Sequence, residues 1–169
     1  METFPKTAKE VSALTDGQCG ERLMAMKQAL FKVAYGLLDA AADREDAVSE
    51  AMRKALLKHR WLRDEAKFEA WAMRIMINEC YTLLRKKKRE LPMAELPERI
   101  APESADRALH DAILALPTDM RLPVILHYMD GYALGEVSAM LRVPVGTLKS
   151  RLSRARAQLR DALAGEGCK

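Results

Sequence analysis

Gly131-Tyr-Ala-Leu-Gly-Glu-Val-Ser-Ala-Met-Leu-Arg-Val-Pro-Val-Gly-Thr-Leu-Lys-Ser-Arg-Leu-Ser-Arg-Ala-Arg-Ala-Gln-Leu-Arg160 reads as a short helix, a tight turn and a longer helix. Leu134, Val137, Ser138 and Leu141 recur at helical spacing, and Arg142-Val143-Pro144 interrupts them. Pro144 suits the first turn of a new helix, where no amide proton is needed. Beyond it, Val145, Leu148, Leu152, Ala155, Leu159 and Leu163 form one apolar stripe. The other face carries Lys149, Ser150, Arg151, Ser153, Arg154, Arg156, Gln158 and Arg160, and no acid falls between Val145 and Arg160. One apolar face to dock and one basic, hydroxyl-bearing face to present suits a helix entering a DNA major groove. A basic face on a lone helix is commonly just solvated. The helix-turn-helix order is what favours DNA here.

The whole chain has 169 residues, enough for one ordinary domain or two small ones. Its net charge is only +4, yet residues 85–89 and 145–160 hold 10 of the 28 basic side chains and no acid. Two separate anionic contacts are expected. Cys19, Cys80 and Cys168 lie far apart, with neither zinc spacing nor a complete disulfide framework, which fits a reducing cytoplasm. No metal set, phosphate loop or nucleophile–base grouping is present in the sequence, so no catalytic residue and no cofactor is expected. No apolar run approaches the roughly 18 residues of a membrane span, and no signal peptide is read at the N-terminus.

Working outward, the expected fold is all-α: two small helical modules joined by an extended linker. Residues 1–20 read as a loose arm. A first helix runs from about Glu21 to Leu38. A second begins at Asp43, which is expected to cap it, and runs to about His59 with Ala47, Val48, Ala51, Met52, Ala55 and Leu56 inward. Residues 60–67 form a polar loop containing Trp61. A third helix, from about Phe68 to Arg89, ends in Arg85-Lys-Lys-Lys-Arg89; five cations in succession exceed what a helix C-terminus calls for. Residues 90–106 hold Pro92, Pro97 and Pro102 and an acidic excess, marking a linker between a module at 21–89 and one at 107–163. The second module should contain helices at 107–115 and 119–129, the latter with Leu122, Val124, Ile125 and Tyr128 inward, then the helix-turn-helix. Residues 164–169 read as a frayed tail.

Taken together, Asp43-Arg-Glu-Asp-Ala-Val-Ser-Glu-Ala-Met52, Phe68-Glu-Ala-Trp-Ala-Met-Arg-Ile-Met-Ile-Asn-Glu-Cys80, the basic run, the Pro-rich linker, Leu116-Pro117 and Pro144-Val-Gly-Thr-Leu-Lys-Ser-Arg-Leu-Ser-Arg-Ala-Arg156 resemble the extracytoplasmic-function (ECF) sigma factors of bacterial RNA polymerase. The resemblance spans about residues 21–163. It implies a cytoplasmic protein that binds core polymerase, recognises minus-thirty-five and minus-ten promoter elements and helps melt them. The first module would correspond to sigma region 2 and the second to region 4.

The resemblance also implies site residues. Asp46, Ser49, Glu50 and Arg53 would meet the clamp coiled coil of the polymerase, and region 4 its flap. Arg60, Trp61, Arg63 and Lys67 would border a pocket for an extruded minus-ten base, while Arg74, Asn78, Arg85, Lys86 and Lys87 would track the strand. Trp71 is assigned to the core. Lys149, Ser150, Ser153 and Arg154 would face minus-thirty-five base edges, with Thr147, Arg151 and Arg156 on phosphates. A controlling anti-sigma factor is implied, and no stable homo-oligomer is expected. Ser49, Met52, Asp64, Thr82 and Leu134-Gly135 depart from the family pattern. The alternatives are a polymerase-independent helix-turn-helix regulator, which would need a dimer seam, and a helical adaptor, which would need neither basic cluster.

Overall fold

A computed structural model describes residues 14–90 and 105–166. The expected arm up to residue 13, most of the linker, and Cys168 with the end of the tail lie outside them. Every described element is helical: α1 (Asp16–Leu37), α2 (Ala41–Lys58), α3 (Phe68–Glu90), α4 (Ala105–Ala115), α5 (Thr118–Val124), α6 (Leu134–Leu141) and α7 (Val145–Glu166). Two 3-10 turns, His59–Trp61 and Glu65–Lys67, join α2 to α3, and α5 runs on into a π-helical turn at Ile125–Met129.

The first module is three helices around one apolar centre. Leu23, Leu30 and Val33 of α1 meet Ala47, Val48 and Ala51 of α2, and Phe68, Met73 and Met76 of α3. The small residues of α2 let the helices approach closely, and the long methionines fill the gaps that remain. Trp71 packs against Phe68, ring centroids 5.7 Å apart, as its assignment to the core requires. Cys80 is fully buried, and burial pushes its thiol up to about 12, so it packs as an apolar group.

Several boundaries differ from the sequence reading. α1 starts at Asp16, well before Glu21, because Thr15 and Gln18 form a capping box: the Thr15 hydroxyl accepts from the Gln18 amide at 3.2 Å and Gln18 Oε1 accepts from the Thr15 amide at 3.0 Å. This brings Leu14 and Cys19 into the core. α2 starts at Ala41, and Asp43 is not its cap. It lies in the first turn, where a carboxylate favours the helix dipole, and pairs with Lys87. Leu56 is exposed, not inward, because α2 gives way to the 3-10 turn within three residues. Tyr128 is also exposed: the wider π-turn, closed by the Asp130 amide on the Ile125 carbonyl at 3.0 Å, rotates it off the inward face that Ile125 and Leu126 keep. α7 continues to Glu166, so residues 164–166 are helix rather than tail.

In the second module, α7 lies on α4 and α5 through Leu148, Leu152 and Ala155, each almost wholly buried. Burying a Leu is worth about 1.5–3 kcal/mol. Leu159 is partly buried and Leu163 exposed, so the stripe docks only over its first half. Met140, absent from the sequence-derived stripe, is buried beside Val137.

The two modules share one continuous core. α1 meets α5 and the π-turn, and α3 meets α6. Gly36 makes the approach possible: a Cβ there would lie 2.2 Å from Ile125 Cδ1. Around it, Arg121 donates to the Gly36 carbonyl at 2.7 Å, and Lys32 Nζ meets Asp130 Oδ1 at 2.6 Å. The Asp130 side chain is only 4% exposed, and its desolvation outweighs the pairing with Lys32, leaving its carboxyl above the usual range.

The cap on α1 is directly testable. Thr15→Ala should lower stability by about 1 kcal/mol, read as a lower urea midpoint at unchanged m-value.

Candidate nucleic-acid and polymerase interface

Three groups of side chains carry the candidate chemistry. The first is the outer face of α7. Thr147, Lys149, Ser150, Ser153, Arg154 and Arg156 are all exposed while Leu148 and Leu152 anchor the other side. The Ser150 hydroxyl donates to the Gly146 carbonyl at 3.2 Å, Arg154 reaches the Ser150 carbonyl at 3.4 Å, and neither pairs with an acid among the described residues. Arg151 stands apart. It is half-buried, and its Nε lies 3.5 Å from Asp119 Oδ2.

The turn before α7 is held rigidly. Glu136 accepts from the Ala133 amide at 2.7 Å at the start of α6, and Ser138 donates to the Val143 carbonyl at 2.7 Å at its end. Arg142 takes the left-handed conformation, φ 55°, which stops α6. Pro144 precedes α7, and its carbonyl accepts from Leu148 at 3.0 Å. Gly135 has open space around it, so the departure there leaves packing untouched.

The second group is the segment between α2 and α3. His59 is buried and anchors it through Nδ1, 2.8 Å from the Leu56 carbonyl. Arg60, Trp61, Arg63 and Lys67 are all exposed around it, Trp61 at 53%. Arg60 reaches Asp16 at 3.4 Å and Lys67 reaches Asp64 at 3.6 Å. Asp64 does not need the freedom of a Gly: it sits at φ −133°, and its carboxylate accepts from the Ala66 amide at 3.1 Å to start the second 3-10 turn. Arg22, which sequence reasoning missed, braces the segment from α1. Its guanidinium lies 4.5 Å over the Phe68 ring, donates to the Glu65 carbonyl at 3.2 Å and pairs with Glu69 at 2.8 Å. Nothing in local periodicity links positions 22 and 65–69.

From this segment α3 carries Arg74, Asn78, Arg85, Lys86 and Lys87 toward its C-terminus. The last three are exposed; Arg85 reaches the Thr82 hydroxyl at 3.2 Å, and Lys87 pairs with Asp43. Thr82 itself donates to the Asn78 carbonyl at 2.8 Å, so the hydroxyl holds Arg85 where an acid is frequent in the family. Arg74, half-buried, and Asn78, exposed, line a cleft of about 390 Å³ between the modules, facing Arg142 and Val143. Arg74 Nε is buried with no hydrogen-bond partner. Burial, and secondarily the charge of Arg142, weaken its hold on its proton.

The third group is the outer face of α2. Asp46 and Ser49 are exposed, Glu50 is half-buried, and Arg53 grips Glu50 with two bonds of 2.6 and 2.8 Å. That hydrogen bonding holds the Glu50 carboxyl down to about 2, so the pair stays charged until strongly acid pH. The face is polar but preorganised, suiting a charged helical partner.

Comparison with known proteins accords with this arrangement. Residues 23–90 match the sigma-70 region 2 family and residues 106–159 the sigma-70 region 4 family. The chain is 35% identical over 123 residues to the ECF RNA polymerase sigma factor SigM of Mycobacterium tuberculosis, a match covering 69% of this chain and 62% of that relative's length. It is 32% identical to the RNA polymerase sigma-E factor of Streptomyces antibioticus, covering 81% of this chain and 79% of the relative. The sigma factor RpoE of Bartonella quintana, solved in complex with the anti-sigma factor NepR, superposes with a TM-score of 0.73 at 26% identity, covering 85% of this chain and 95% of that one. CnrH, solved with the cytosolic domain of CnrY, shares the fold with a TM-score of 0.69 at 22% identity. With both regions present in order on an all-helical fold, the chain belongs to the ECF group of RNA polymerase sigma factors.

Proposed function

We propose that this chain joins core RNA polymerase, directs it to promoters bearing minus-thirty-five and minus-ten elements, and assists their melting. The observation that carries the reading is the pairing, in one chain, of an exposed face on α7 that holds no acid between Val145 and Arg160 with a basic, aromatic-bearing segment just before α3. One suits duplex readout and the other single-strand capture. Residues 21–89 act as region 2 and residues 107–163 as region 4, with residues 90–106 as linker. Family membership disfavours the polymerase-independent regulator.

On this reading, Asp46, Ser49, Glu50 and Arg53 dock on the polymerase clamp. Arg60, Trp61, Arg63 and Lys67 receive the extruded base, and Arg74, Asn78, Arg85, Lys86 and Lys87 follow the strand. Lys149, Ser150, Ser153 and Arg154 read upstream bases, while Thr147, Arg151 and Arg156 hold phosphates. The sigma factor RpoE of Bartonella quintana, whose structure was solved with the anti-sigma factor NepR, supports control of this chain by an anti-sigma partner.

Run-off transcription with bacterial core polymerase on a promoter-fragment pool tests the function. Initiation should depend on the protein and select a shared two-part promoter; no stimulation and no core binding would defeat the reading. In the same assay Lys149→Ala and Arg154→Ala should relax upstream base preference, at about 1–3 kcal/mol for a bidentate contact, whereas Arg85→Gln should weaken all promoters alike. Arg22→Ala should lower permanganate reactivity of minus-ten thymines while leaving minus-thirty-five duplex binding unchanged. Arg22→Lys should restore this only in part, because Lys keeps the charge opposite Glu69 but not the flat stack on Phe68.

A further inference from the structure

We propose that the open cleft between α3 and the second module binds a nucleoside phosphate, its phosphate between Arg74 and Arg142 and its base against Tyr81. This goes beyond the promoter reading, which gives Arg74 and Asn78 to the DNA strand and assigns nothing to Arg142 or Tyr81.

The cleft volume, about 390 Å³, lies in the range of small-molecule sites. Its apolar lining includes Ile77, Leu122 and Met140, all buried. Such a lining with a few convergent polar groups suits a small organic ligand better than a bare ion.

The charge in the cleft is uneven. Arg74, Arg142 and Arg151 line it against one acid, Asp119. Asp119 lies 3.5 Å from Arg151, which leaves the excess on Arg74 and Arg142. These two come from different modules, yet Arg142 stands close enough to add to burial in weakening Arg74's hold on its proton. Neither pairs with an acid among the described residues, and the buried Arg74 Nε has no hydrogen-bond partner. A phosphate between them would remove the repulsion and supply the missing acceptor, since guanidinium N–H groups fit phosphate oxygens.

The other groups select the rest of the ligand. Arg74, Asn78 and Tyr81 follow at i, i+4 and i+7 on one face of α3, a line of about 10 Å at 1.5 Å per residue. A mononucleotide laid along it carries its phosphate at Arg74, its sugar by the Asn78 amide and its base at Tyr81. Tyr81 is 36% exposed, so part of its ring is open to a stacking base. Burial raises its phenol and Asp119 adds to the rise, which sets the carboxylate at this end of the cleft. A carboxylate only accepts hydrogen bonds, so it favours a base edge rich in N–H donors, such as that of guanine.

Isothermal titration calorimetry on the full chain tests the site. GMP is the probe, with guanosine, inorganic phosphate and a random-sequence single-stranded oligonucleotide beside it. One GMP should bind per chain with a dissociation constant below about 1 mM, and guanosine and phosphate should each bind at least about 10-fold more weakly. Arg142→Asn keeps a residue that tolerates the left-handed turn at φ 55°. It should weaken GMP about 10-fold, the loss of one charge-assisted bond. Tyr81→Leu should weaken it similarly through the base. Both side chains reach solvent, and an unchanged urea midpoint verifies that the variants fold. Neither should alter the oligonucleotide's affinity. The proposal is overturned by an absence of saturable GMP binding, by guanosine binding as tightly as GMP, or by GMP binding that both variants leave unchanged. Oligonucleotide binding that Arg142→Asn weakens, with no GMP bound, would assign the cleft's phosphate to the DNA strand and also overturn it. The measurement needs no polymerase, so its failure and that of the sigma reading are separate.

Discussion

The missing side chain at Gly36 is the constraint on which the arrangement of the two modules depends. The run of α5 into its π-turn brings Ile125 and Arg121 over α1 at Gly36, where a Cβ would meet the tip of the Ile125 side chain. A methyl there, 2.2 Å from Ile125 Cδ1, would force that side chain's tip to move in a closely packed seam. Once that approach is made, the Arg121 and Lys32 bonds fall into register, α6 comes to rest on α3, and the cleft between them takes its shape.

Within each module the logic is more ordinary. Small residues on α2 and long ones on α3 fill a three-helix core, and a half-length apolar stripe docks α7. The polar groups then divide by role. Some brace backbone, as Asp64 and Thr82 do; Arg22 braces a segment that no helix of its own could hold. Others, such as Lys149 and Arg154, pair with no acid among the described residues and face solvent. The departures from the family pattern at Asp64 and Thr82 thus have local structural partners, which a motif comparison does not display.

Much of this was legible in the chain itself. The helical class, the docking stripe of α7, the core placement of Trp71 and the start of α3 at Phe68 all follow from periodicity and breaker residues. The start of α1 was legible too, in the Thr15-x-x-Gln18 signature, but two glycines within the first turns disguised it. Tyr128 and Leu56 were misplaced because a uniform 3.6-residue period fails where a helix widens into a π-turn or tightens into a 3-10 turn.

Sequence by itself determined the family, the two basic clusters and the side chains offered on the outer faces of α2 and α7. These are local properties, set by neighbours three or four positions away. Only the tertiary structure decided which cations are available. Arg151 and Lys87 are engaged by Asp119 and Asp43, Arg74 is turned into the cleft, and Arg22 is recruited to the segment at 60–67. Each of those outcomes joins residues more than 20 positions apart, and no periodic pattern records which distant side chain will arrive. It is settled when the helices pack.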